Sequence, residues 1–342
     1  MGYKVGLIRG DGIGPEVIGE AEKLIRALPL NIDLIEIQAG YNYYKKTGKI
    51  IEDGGLELIR SLDATLKGPL MTPPGPGSIR SINVYLRQRL QLYANIRPFT
   101  GFKGVSLHED FDLVIVRENT EGLYSGFEGR INNVAFSMKI ATYEGSLRII
   151  KKAVEYAESR DYRKLTLVHK ANILKESDGL FREVFWEVVK NHAIAVDELF
   201  VDAAAYWIAK DPKKFGAIVT PNLYGDILSD LAAGITGSLG LCGSAQVGSD
   251  TAVFEPVHGT APDIAGKGIA NPISAVIATA LLIEHVGIRH DDDKALNTSR
   301  RIKDAVKKVV EDGKVRTPDL GGTSSTQEMG EAILNELEKG LL

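Results

Sequence analysis

One cysteine and no excess of basic residues set the first limits on what this chain does. The lone Cys242 cannot form an internal disulfide, which favours a reducing, cytoplasmic setting. The 342 residues carry 41 Lys and Arg against 45 Asp and Glu, a formal net charge of −4. Because proteins that bind nucleic acid are usually strongly basic, we expect no nucleic-acid partner.

Long apolar runs are also missing, so we expect no membrane association. The longest apolar stretch, 269–283, is interrupted by Asn271, Pro272 and Ser274 and is shorter than the ~20 residues that span a bilayer. The first residues contain no apolar core of the kind that a signal peptide needs. No Ser/Gly/Pro-rich linker or internal repeat divides the chain, so at roughly 150 residues per domain we expect two tightly packed domains.

Glycine, with 36 copies, is the one residue in clear excess, and several glycines follow short apolar runs. Residues 5–8 precede a glycine-rich turn and a helical pattern that runs from Pro15 to about Leu28. A short apolar run followed by a polar turn returns at 113–116, 165–168 and 217–219. Strands that alternate with helices predict an α/β fold with a largely parallel sheet.

The turn after the first apolar run is not a dinucleotide-binding fingerprint. Gly10, Gly12 and Gly14 are spaced G-x-G-x-G, whereas the fingerprint is G-x-G-x-x-G. Pro15 suits the first turn of a helix, where its missing N–H costs nothing. We therefore interpret this segment as a tight turn that leaves room for a ligand beside it.

The other three apolar runs end in charged and amide residues, at 117–121, 169–172 and 220–226. Ligands of open α/β sheets bind beyond the carboxyl ends of the strands. The three segments therefore predict one shared polar cleft. For any single strand, a solvated loop is an equally good interpretation.

A cluster of arginines follows a helix start. Ser81 and Asn83 are typical of a helix N-terminus, and their role could be capping alone. The same N-terminal dipole also attracts anions, and Arg87, Arg97 and Arg117 approach the predicted cleft. Because arginine holds carboxylates through two donors, three arginines suit a substrate with several carboxylates.

Two carboxylates lie four residues apart in the segment 225–230. On a helix, Asp226 and Asp230 share one face and repel each other unless a cation lies between them. Mg²⁺ and Mn²⁺ favour such oxygen ligands, and Asp202 is a possible third. The alternative is that Asp226 only caps a helix and Asp230 is solvated.

A long loop, 255–272, is punctuated by glycine and proline before an apolar helix. Loops of this length inside compact domains are usually functional or disordered, and the apolar residues between its glycines favour a functional one. It could wrap an adenine nucleotide, with Asp263 accepting hydrogen bonds from ribose hydroxyls.

Together these segments resemble the β-decarboxylating dehydrogenases, which include the isocitrate, 3-isopropylmalate, homoisocitrate and tartrate dehydrogenases. Seven motifs stand in the family's order between Gly10 and about Gly322: GDGIGPEV, LYANIRP, VRENTEGLY, VHKAN, NLYGDILSD, EPVHGTAPDIAGKGIANP and TPDLGG. Any one of them is a weak signal, but seven in order are very specific.

The resemblance implies a two-domain α/β fold with a mixed, largely parallel sheet that is not a Rossmann fold. Residues 1–98 and 237–342 are expected to form the large domain on the cofactor side. Residues 99–236 are expected to form a smaller inserted domain on the dimerisation, metal and substrate side. The resemblance also implies a homodimer whose subunits share each active site.

The resemblance assigns roles to residues that match its motifs. Arg87, Arg97 and Arg117 look like the clamps on the substrate carboxylates. Tyr124 looks like the general acid that protonates the decarboxylated product. Lys170, supplied by the partner subunit, looks like the group that manages the proton of the C2 hydroxyl.

It also implies a metal site and a cofactor site. Asp226 and Asp230, with Asp202 from the partner, look like ligands of Mg²⁺ or Mn²⁺. The cofactor residues that it implies are Thr72, Glu255, His258, Gly259, Thr260, Ala261, Asp263, Ile264 and Asn271. Asp263 and Ile264 match the NAD-preferring pattern, whereas NADP-preferring relatives carry Lys-Tyr there.

The substrate is suggested by Ser81 and Asn83, which match the isocitrate type, where such residues hold a third carboxylate. Isopropylmalate enzymes line this pocket with apolar side chains, and polar donors left unpaired there would cost ~1–3 kcal/mol. We therefore expect an NAD-dependent isocitrate dehydrogenase of the tricarboxylic acid cycle. The alternatives are homoisocitrate and 3-isopropylmalate dehydrogenases of lysine and leucine biosynthesis. A catalytically silent regulatory paralogue is disfavoured, because the Arg, Tyr, Lys and Asp residues of the family's active site are all present.

Overall fold

The computed structural model describes residues 2–73, 75 and 78–339. Positions 1, 74, 76, 77 and 340–342 of the predicted large domain lie outside the described residues. The described part forms the following strands: β1 Gly2–Ile8, β2 Asn31–Glu36, β3 Ala64–Lys67, β4 Ala94–Thr100, β5 Asp112–Glu118, β6 Glu128–Ile131, β7 Val134–Ser137, β8 Lys164–His169, β9 Ala195–Phe200, β10 Ala217–Thr220, β11 Gly243–Val247 and β12 Ala252–Pro256.

Helices connect most of these strands. Their bounds are α1 Gly14–Ala27, α2 Tyr41–Thr47, α3 Gly55–Ser61, α4 Ile82–Arg89, α5 Tyr143–Glu158, α6 Ser177–Val189, α7 Val201–Lys210, α8 Asn222–Thr236, α9 Ile273–His290, α10 Asp293–Asp312 and α11 Thr326–Lys339. The predicted helix from Pro15 to about Leu28 is confirmed as α1, with the proline in its first turn.

Ten strands form one mixed sheet in the order β2-β1-β3-β12-β11-β4-β5-β10-β8-β9, and β6 and β7 form a separate hairpin. Pairing is parallel at both ends of the sheet, but β11 is antiparallel to β12 and β4, and β4 is antiparallel to β5. The predicted α/β fold is therefore confirmed.

The predicted domain boundaries fall at identifiable places in this architecture. The boundary at 98/99 lies inside β4, and that at 236/237 lies at the end of α8. The ten-stranded sheet passes through both predicted parts, so the division into two domains stays a prediction.

The core lies between the sheet and the helices that cover it. Helix α9 packs on β3, β12 and β11, α5 packs on β5 and β10, and α8 packs on β4 and β5. Of the helices in the described ranges, α9 alone is long and apolar enough to cross a membrane, and 67% of that window is buried inside the fold. Its apolar character is that of a core helix, with Ala275, Ala278 and Ile283 fully buried.

Candidate active site

A buried polar strip crosses the antiparallel centre of the sheet. It begins at Lys67, the last residue of β3, whose ammonium forms an ion pair with Glu255 of β12. Both side chains are almost fully buried, at 1% and 8% exposure. Burial raises the pKa of Glu255, but the charges of Lys67 and Arg87 outweigh that effect and leave the pKa below its ordinary value. Glu255 therefore stays ionised at neutral pH.

The side chain of Arg87, in the last turn of α4, is part of the strip. Its Nε donates to Gln246 Oε1 at 2.7 Å, and its Nη2 lies 3.4 Å from Glu255 Oε1. Gln246 in β11 also donates to Glu255 and accepts a hydrogen bond from Asn119 at 3.1 Å. One buried amide thus fixes the guanidinium at its Nε edge, which leaves donors at the far end of Arg87 for a ligand.

Arg97 of β4 is held in the same way. Its Nε donates to Asn95 Oδ1 at 3.1 Å and its Nη1 donates to Ser229 of α8 at 2.6 Å. The same Nη1 lies 3.7 Å from Asp226 and 3.6 Å from Asp230. Burial lowers the pKa of Arg97. The side chain nonetheless stays a cation at neutral pH, because the ordinary pKa of an arginine is above 12.

Arg117, near the end of β5, is the most enclosed of the three arginines, at 1% exposure. Its Nε and Nη2 donate to Asn222 at 3.0 and 2.7 Å, and its Nη1 donates to Asp226. Burial and the charges of Arg87 and Arg97 lower its pKa to about 9. Three like charges in one buried place are costly unless anions share it, and the carboxylates of Glu255, Asp226 and Asp230 lie beside them.

Tyr124 reaches the same cluster from a short 3-10 helix, Leu123–Ser125. Its hydroxyl donates to Asp226 Oδ2 at 2.5 Å, and the Arg117 guanidinium lies 5.1 Å from its ring centroid. Burial and the Asp226 carboxylate raise the pKa of Tyr124. The phenol is therefore protonated in the neutral range, which is the state that a proton donor requires.

The predicted carboxylate pair lies on α8 as the spacing indicated. Pro221 is the N-cap of α8, so the alternative that Asp226 merely caps the helix is wrong. Burial raises the pKa of Asp230, whereas Asp226 has a lowered pKa because Arg117 and Tyr124 outweigh its own desolvation. Two carboxylates one helical turn apart, with Asp230 partly exposed, form a donor set that fits a hard divalent cation.

The start of α4 combines capping with a polar contact to the strip. Ser81 is the N-cap, and its Oγ accepts the Val84 N–H at 3.4 Å. Asn83 accepts a hydrogen bond from Lys67 at 3.0 Å. Lys67 was missed by the sequence reasoning, because the short segment 64–66, which contains Thr65, does not stand out as an apolar run.

Lys170 and Asp202 do not join this cluster. Lys170 follows β8, Asp202 lies in the first turn of α7, and the two side chains form an ion pair with each other. The Asp202 side chain is 67% exposed. Within the described ranges, neither residue has a hydrogen bond or ion pair to Tyr124, Asp226 or Asp230, and no three acidic, histidine or cysteine side chains form a metal-sized group. The prediction of one cleft at three strand ends is therefore confirmed in part: β5, β10 and β8 are parallel neighbours whose ends lie at one edge of the sheet, but among the described residues Lys170 after β8 makes no bond to the cluster.

The predicted cofactor loop follows β12 and packs on the first glycine-rich turn. The Thr260 carbonyl accepts the Ile13 N–H at 2.9 Å, and a Cβ on Gly12 would lie 1.9 Å from that oxygen. Ala261 has a φ of +37°, a strained value for a residue with a side chain. Strain of this kind concentrates at ligand sites, and here it fixes the path of the loop.

Two side chains on this loop, those of His258 and Asp263, have polar atoms without a partner among the described residues. His258 Nδ1 lies 3.0 Å from the Gly259 carbonyl and therefore carries the ring proton, which leaves Nε2 as an acceptor. Nε2 is buried and has no hydrogen-bond partner among the described residues. Burial lowers the pKa of His258, so the ring is neutral and suited to an amino group. Asp263 is exposed and makes no side-chain hydrogen bond within the described part, so it is available to ribose hydroxyls.

The remaining predicted cofactor residues flank these groups. Asn271 donates to Asp319 at 3.0 Å, which ties the loop to the segment 317–322. Ile264 packs on the main core, and Thr72 is exposed in the segment between β3 and α4. The structure therefore places Glu255 in the polar strip and the other predicted cofactor residues along the loop, apart from Thr72, which lies between β3 and α4.

Comparison with known proteins agrees with this geometry. The Isocitrate/isopropylmalate dehydrogenase family matches residues 4–333. The homoisocitrate dehydrogenase of Methanocaldococcus jannaschii is 42% identical and covers 99% of both chains. The 3-isopropylmalate dehydrogenase of Sulfurisphaera tokodaii is 40% identical over 98% of this chain and 100% of its own.

A solved structure adds the fold-level comparison. The isocitrate dehydrogenase of Methylococcus capsulatus superposes with a TM-score of 0.92 at 46% identity, over 98% of this chain and 99% of that one. The resemblance drawn from the seven motifs is thereby confirmed. The chain belongs to the isocitrate/isopropylmalate dehydrogenase family and is an enzyme of that family.

Proposed function

We propose that this enzyme oxidatively decarboxylates a 2-hydroxytricarboxylate of the isocitrate–homoisocitrate type, with NAD as hydride acceptor and Mg²⁺ or Mn²⁺ as metal. The observation that carries the proposal is the polar strip, in which three buried arginines converge beside Tyr124 and the Asp226–Asp230 pair. Such a concentration of buried positive charge suits a polyanion better than a substrate with a large apolar arm.

The third carboxylate of the substrate would lie at the start of α4. Ser81 and Asn83 provide a hydroxyl and an amide there, and Lys67 adds an ammonium through its contact with Asn83. An isopropyl group at this place would leave the half-buried Ser81 hydroxyl and Asn83 amide without a partner in the ligand. This argument supports a tricarboxylate over 3-isopropylmalate.

Isocitrate, expected from the sequence, and homoisocitrate differ by one methylene group, which the residue types at α4 do not distinguish. The curated relatives named above favour homoisocitrate or isopropylmalate over isocitrate. The solved relative at 46% identity is an isocitrate dehydrogenase. Homoisocitrate is therefore a full second candidate, and activity on both tricarboxylates fits the site equally well.

In the proposed reaction the arginines hold the substrate carboxylates and fix C2 and C3. NAD would take the hydride from C2 while Lys170 of the partner subunit receives the proton of the C2 hydroxyl, and a divalent ion held by Asp226 and Asp230 would supply Lewis-acid polarisation of the 2-oxo group. Tyr124 is protonated in the neutral range, as its raised pKa requires, and delivers a proton to C3 after CO₂ has left.

The Asp263 carboxylate supports NAD over NADP. It is exposed on the loop 257–271, and a carboxylate that accepts from ribose hydroxyls repels a 2′-phosphate. The unpartnered His258 Nε2 lies on the same loop and fits the adenine amino group.

A homodimer with shared active sites explains why Lys170 and Asp202 lie apart from the cluster. Phe200 lies against Lys170, and the chain from the β6–β7 hairpin to α8 exposes further apolar side chains: Phe127, Ile131, Val134, Phe136, Met138, Ile173, Tyr206 and Ile227. An open groove of about 1270 Å³ runs between the segment 139–141 and α6 in the same region. Large exposed apolar patches mark protein interfaces, and a second copy would bring Lys170 to the partner's Tyr124.

Hybrid dimers test the shared site. Tyr124→Phe and Lys170→Met subunits carrying different tags are co-expressed, and the hybrid is purified through both tags. If each site combines Tyr124 of one subunit with Lys170 of the other, the hybrid contains one intact site and regains up to half of the wild-type turnover. If each subunit holds a complete site, the hybrid has no intact site and stays as slow as the two parent variants.

A further inference from the structure

A fully buried carboxylate lies outside the polar strip, at the start of α6. Asp178 has 0% exposure, and both of its oxygens are bound. Oδ2 accepts the backbone N–H of Lys170 at 2.7 Å, and Oδ1 accepts from the ammonium of Lys139. A carboxylate without access to water is retained only if such partners compensate its charge, so this ion pair fixes the backbone of Lys170.

Lys139 connects the pair to α8. Its ammonium lies 3.3 Å from the Tyr224 hydroxyl and 4.4 Å from the centroid of the Tyr224 ring. Tyr224 is two residues before Asp226 on the same helix.

The same segment connects to the turn that carries Tyr124. The neighbour of Lys139, Ile140, forms an antiparallel bridge with Gly122: the Gly122 N–H donates to the Ile140 carbonyl at 2.8 Å, and the Ile140 N–H donates back at 3.3 Å. Gly122 is the N-cap of the short helix that contains Tyr124. The segment 139–140 therefore contacts three neighbours of the catalytic residues: Gly122 near Tyr124, Tyr224 near Asp226, and Asp178, which binds the backbone of Lys170.

We propose that Asp178, Lys139 and Tyr224 form one positioning unit that holds Lys170 and Tyr124 of the same chain, and so couples the two active sites of the dimer. The proposal rests on the proposed function, in which Lys170 serves the partner's site while Tyr124 and Asp226 serve the chain's own. Loss of the ion pair would then disturb both sites that one subunit helps to build.

The unit acts through position rather than by touching substrate, which determines the expected kinetics. Asp178→Asn keeps the shape of the side chain but leaves the Lys139 ammonium without its counter-charge. A displacement of catalytic groups by about 1 Å costs on the order of 10²-fold in rate, so we expect kcat to fall by roughly that factor. KM should stay within about threefold, because the arginines of the polar strip are not part of the unit.

Variants at Lys139 separate charge from fold stability. Lys139→Met should lower kcat as Asp178→Asn does, and Lys139→Arg should restore most of it because it keeps the cation. The double variant Asp178→Asn/Lys139→Met removes both charges, so its Tm should recover towards wild type while kcat stays low. If kcat recovers together with Tm, the pair serves only stability and the positioning role is wrong.

Amide hydrogen exchange provides a test that needs no turnover. In Asp178→Asn, both 170–174 and 122–126 should exchange at least about tenfold faster than in the wild type, since local opening of both segments is expected. The matched control is Glu284→Gln, which removes a carboxylate bound by Arg160 and Lys303 outside the site and should leave both segments unchanged. Faster exchange in 170–174 alone would overturn the proposal, because Asp178 would then support only its own loop.

A hybrid of one wild-type and one Asp178→Asn subunit tests the coupling itself. If the unit holds residues of both sites, the hybrid should turn over far below half of the wild-type rate. A rate of one half would mean that only one site is disturbed, which contradicts the proposal. Should the wild type turn over none of the proposed substrates, the proposed function fails, and the exchange experiment still decides whether the positioning unit exists.

Discussion

The Tyr124 hydroxyl donates a hydrogen bond to Asp226 Oδ2 at 2.5 Å, so the proposed proton donor contacts a proposed metal ligand directly. The contact makes chemical sense because Asp226 is held ionised by Arg117 and Tyr124 is held protonated by burial and by that carboxylate. One carboxylate therefore organises both the acid and the cation site.

The first prediction concerns Tyr124→Phe. Removal of a general acid typically costs 10²- to 10⁴-fold, and we expect kcat to fall by about that range with KM changed less than about threefold. Steady-state kinetics with the preferred tricarboxylate measure both constants. A kcat within a factor of about three of wild type would show that another group, or water, protonates C3.

The second prediction concerns the start of α4. Ser81→Glu places a carboxylate beside the proposed position of the third substrate carboxylate, and kcat/KM for isocitrate and homoisocitrate should fall by at least about 10²-fold. Ser81→Asn is the matched control, since asparagine also caps helices and adds no charge. Equal kcat/KM in the Glu and Asn variants would mean that Ser81 only caps the helix.

The third prediction tests the cofactor loop. Asp263→Lys combined with Ile264→Tyr should raise the ratio of kcat/KM with NADP to that with NAD by at least about tenfold, because a cation replaces the carboxylate that repels a 2′-phosphate. The single variant Asp263→Asn should weaken NAD use without creating strong NADP use. An unchanged ratio in the double variant would contradict the ribose assignment.

The fourth prediction concerns stability and its pH dependence. Glu284 forms ion pairs with Arg160 at 2.8 Å and Lys303 at 2.6 Å. Burial raises the pKa of Glu284, but the two cations outweigh it, so the pKa is below its ordinary value. Glu284→Gln should therefore lower the free energy of unfolding by about 1.5–3 kcal/mol at pH 7.

Because the folded-state pKa of Glu284 is lowered, its stabilisation is fully present above the unfolded-state pKa of ~4.3 and is lost as the pH falls through the folded-state value. The difference in unfolding free energy between wild type and Glu284→Gln should be constant from about pH 8 to 5 and shrink below about pH 4. Denaturant titrations at one protein concentration measure it. A difference that grows as the pH falls would contradict the assigned direction of the shift.

Local patterns predicted the elements of the fold that depend on neighbouring residues. The strands at 113–116, 165–168 and 217–219, helix α1 and the shared face of Asp226 and Asp230 all follow from short-range spacing. The pairing of Lys67 with Glu255, and of Arg87 with Gln246, does not, because it depends on the order and direction of strands far apart in the chain.

Strand direction does not explain the part of the cleft prediction that failed, because β5, β10 and β8 are parallel neighbours whose carboxyl ends lie at one edge of the sheet. The Lys170 side chain after β8 instead pairs with Asp202, and the buried polar strip runs across β12, β11, β4 and β5, which short-range patterns do not predict. Asp178 and Lys139 were not singled out because an acid at a helix start and a lone lysine after a hairpin look like ordinary solvated residues. Only their burial, at 0% and 16% exposure, reveals their contact.

The most direct measurement of the central claim is the rate at which the nicotinamide cofactor is reduced in the presence of Mg²⁺ or Mn²⁺ near neutral pH. It compares isocitrate, homoisocitrate and 3-isopropylmalate, each with NAD and with NADP. We predict that isocitrate or homoisocitrate with NAD has the highest kcat/KM, exceeding 3-isopropylmalate with NAD by at least about 10²-fold, because polar groups that lack their partner discriminate strongly. A preference for 3-isopropylmalate would contradict the tricarboxylate pocket at Ser81, Asn83 and Lys67, and a preference for NADP would contradict the role of Asp263.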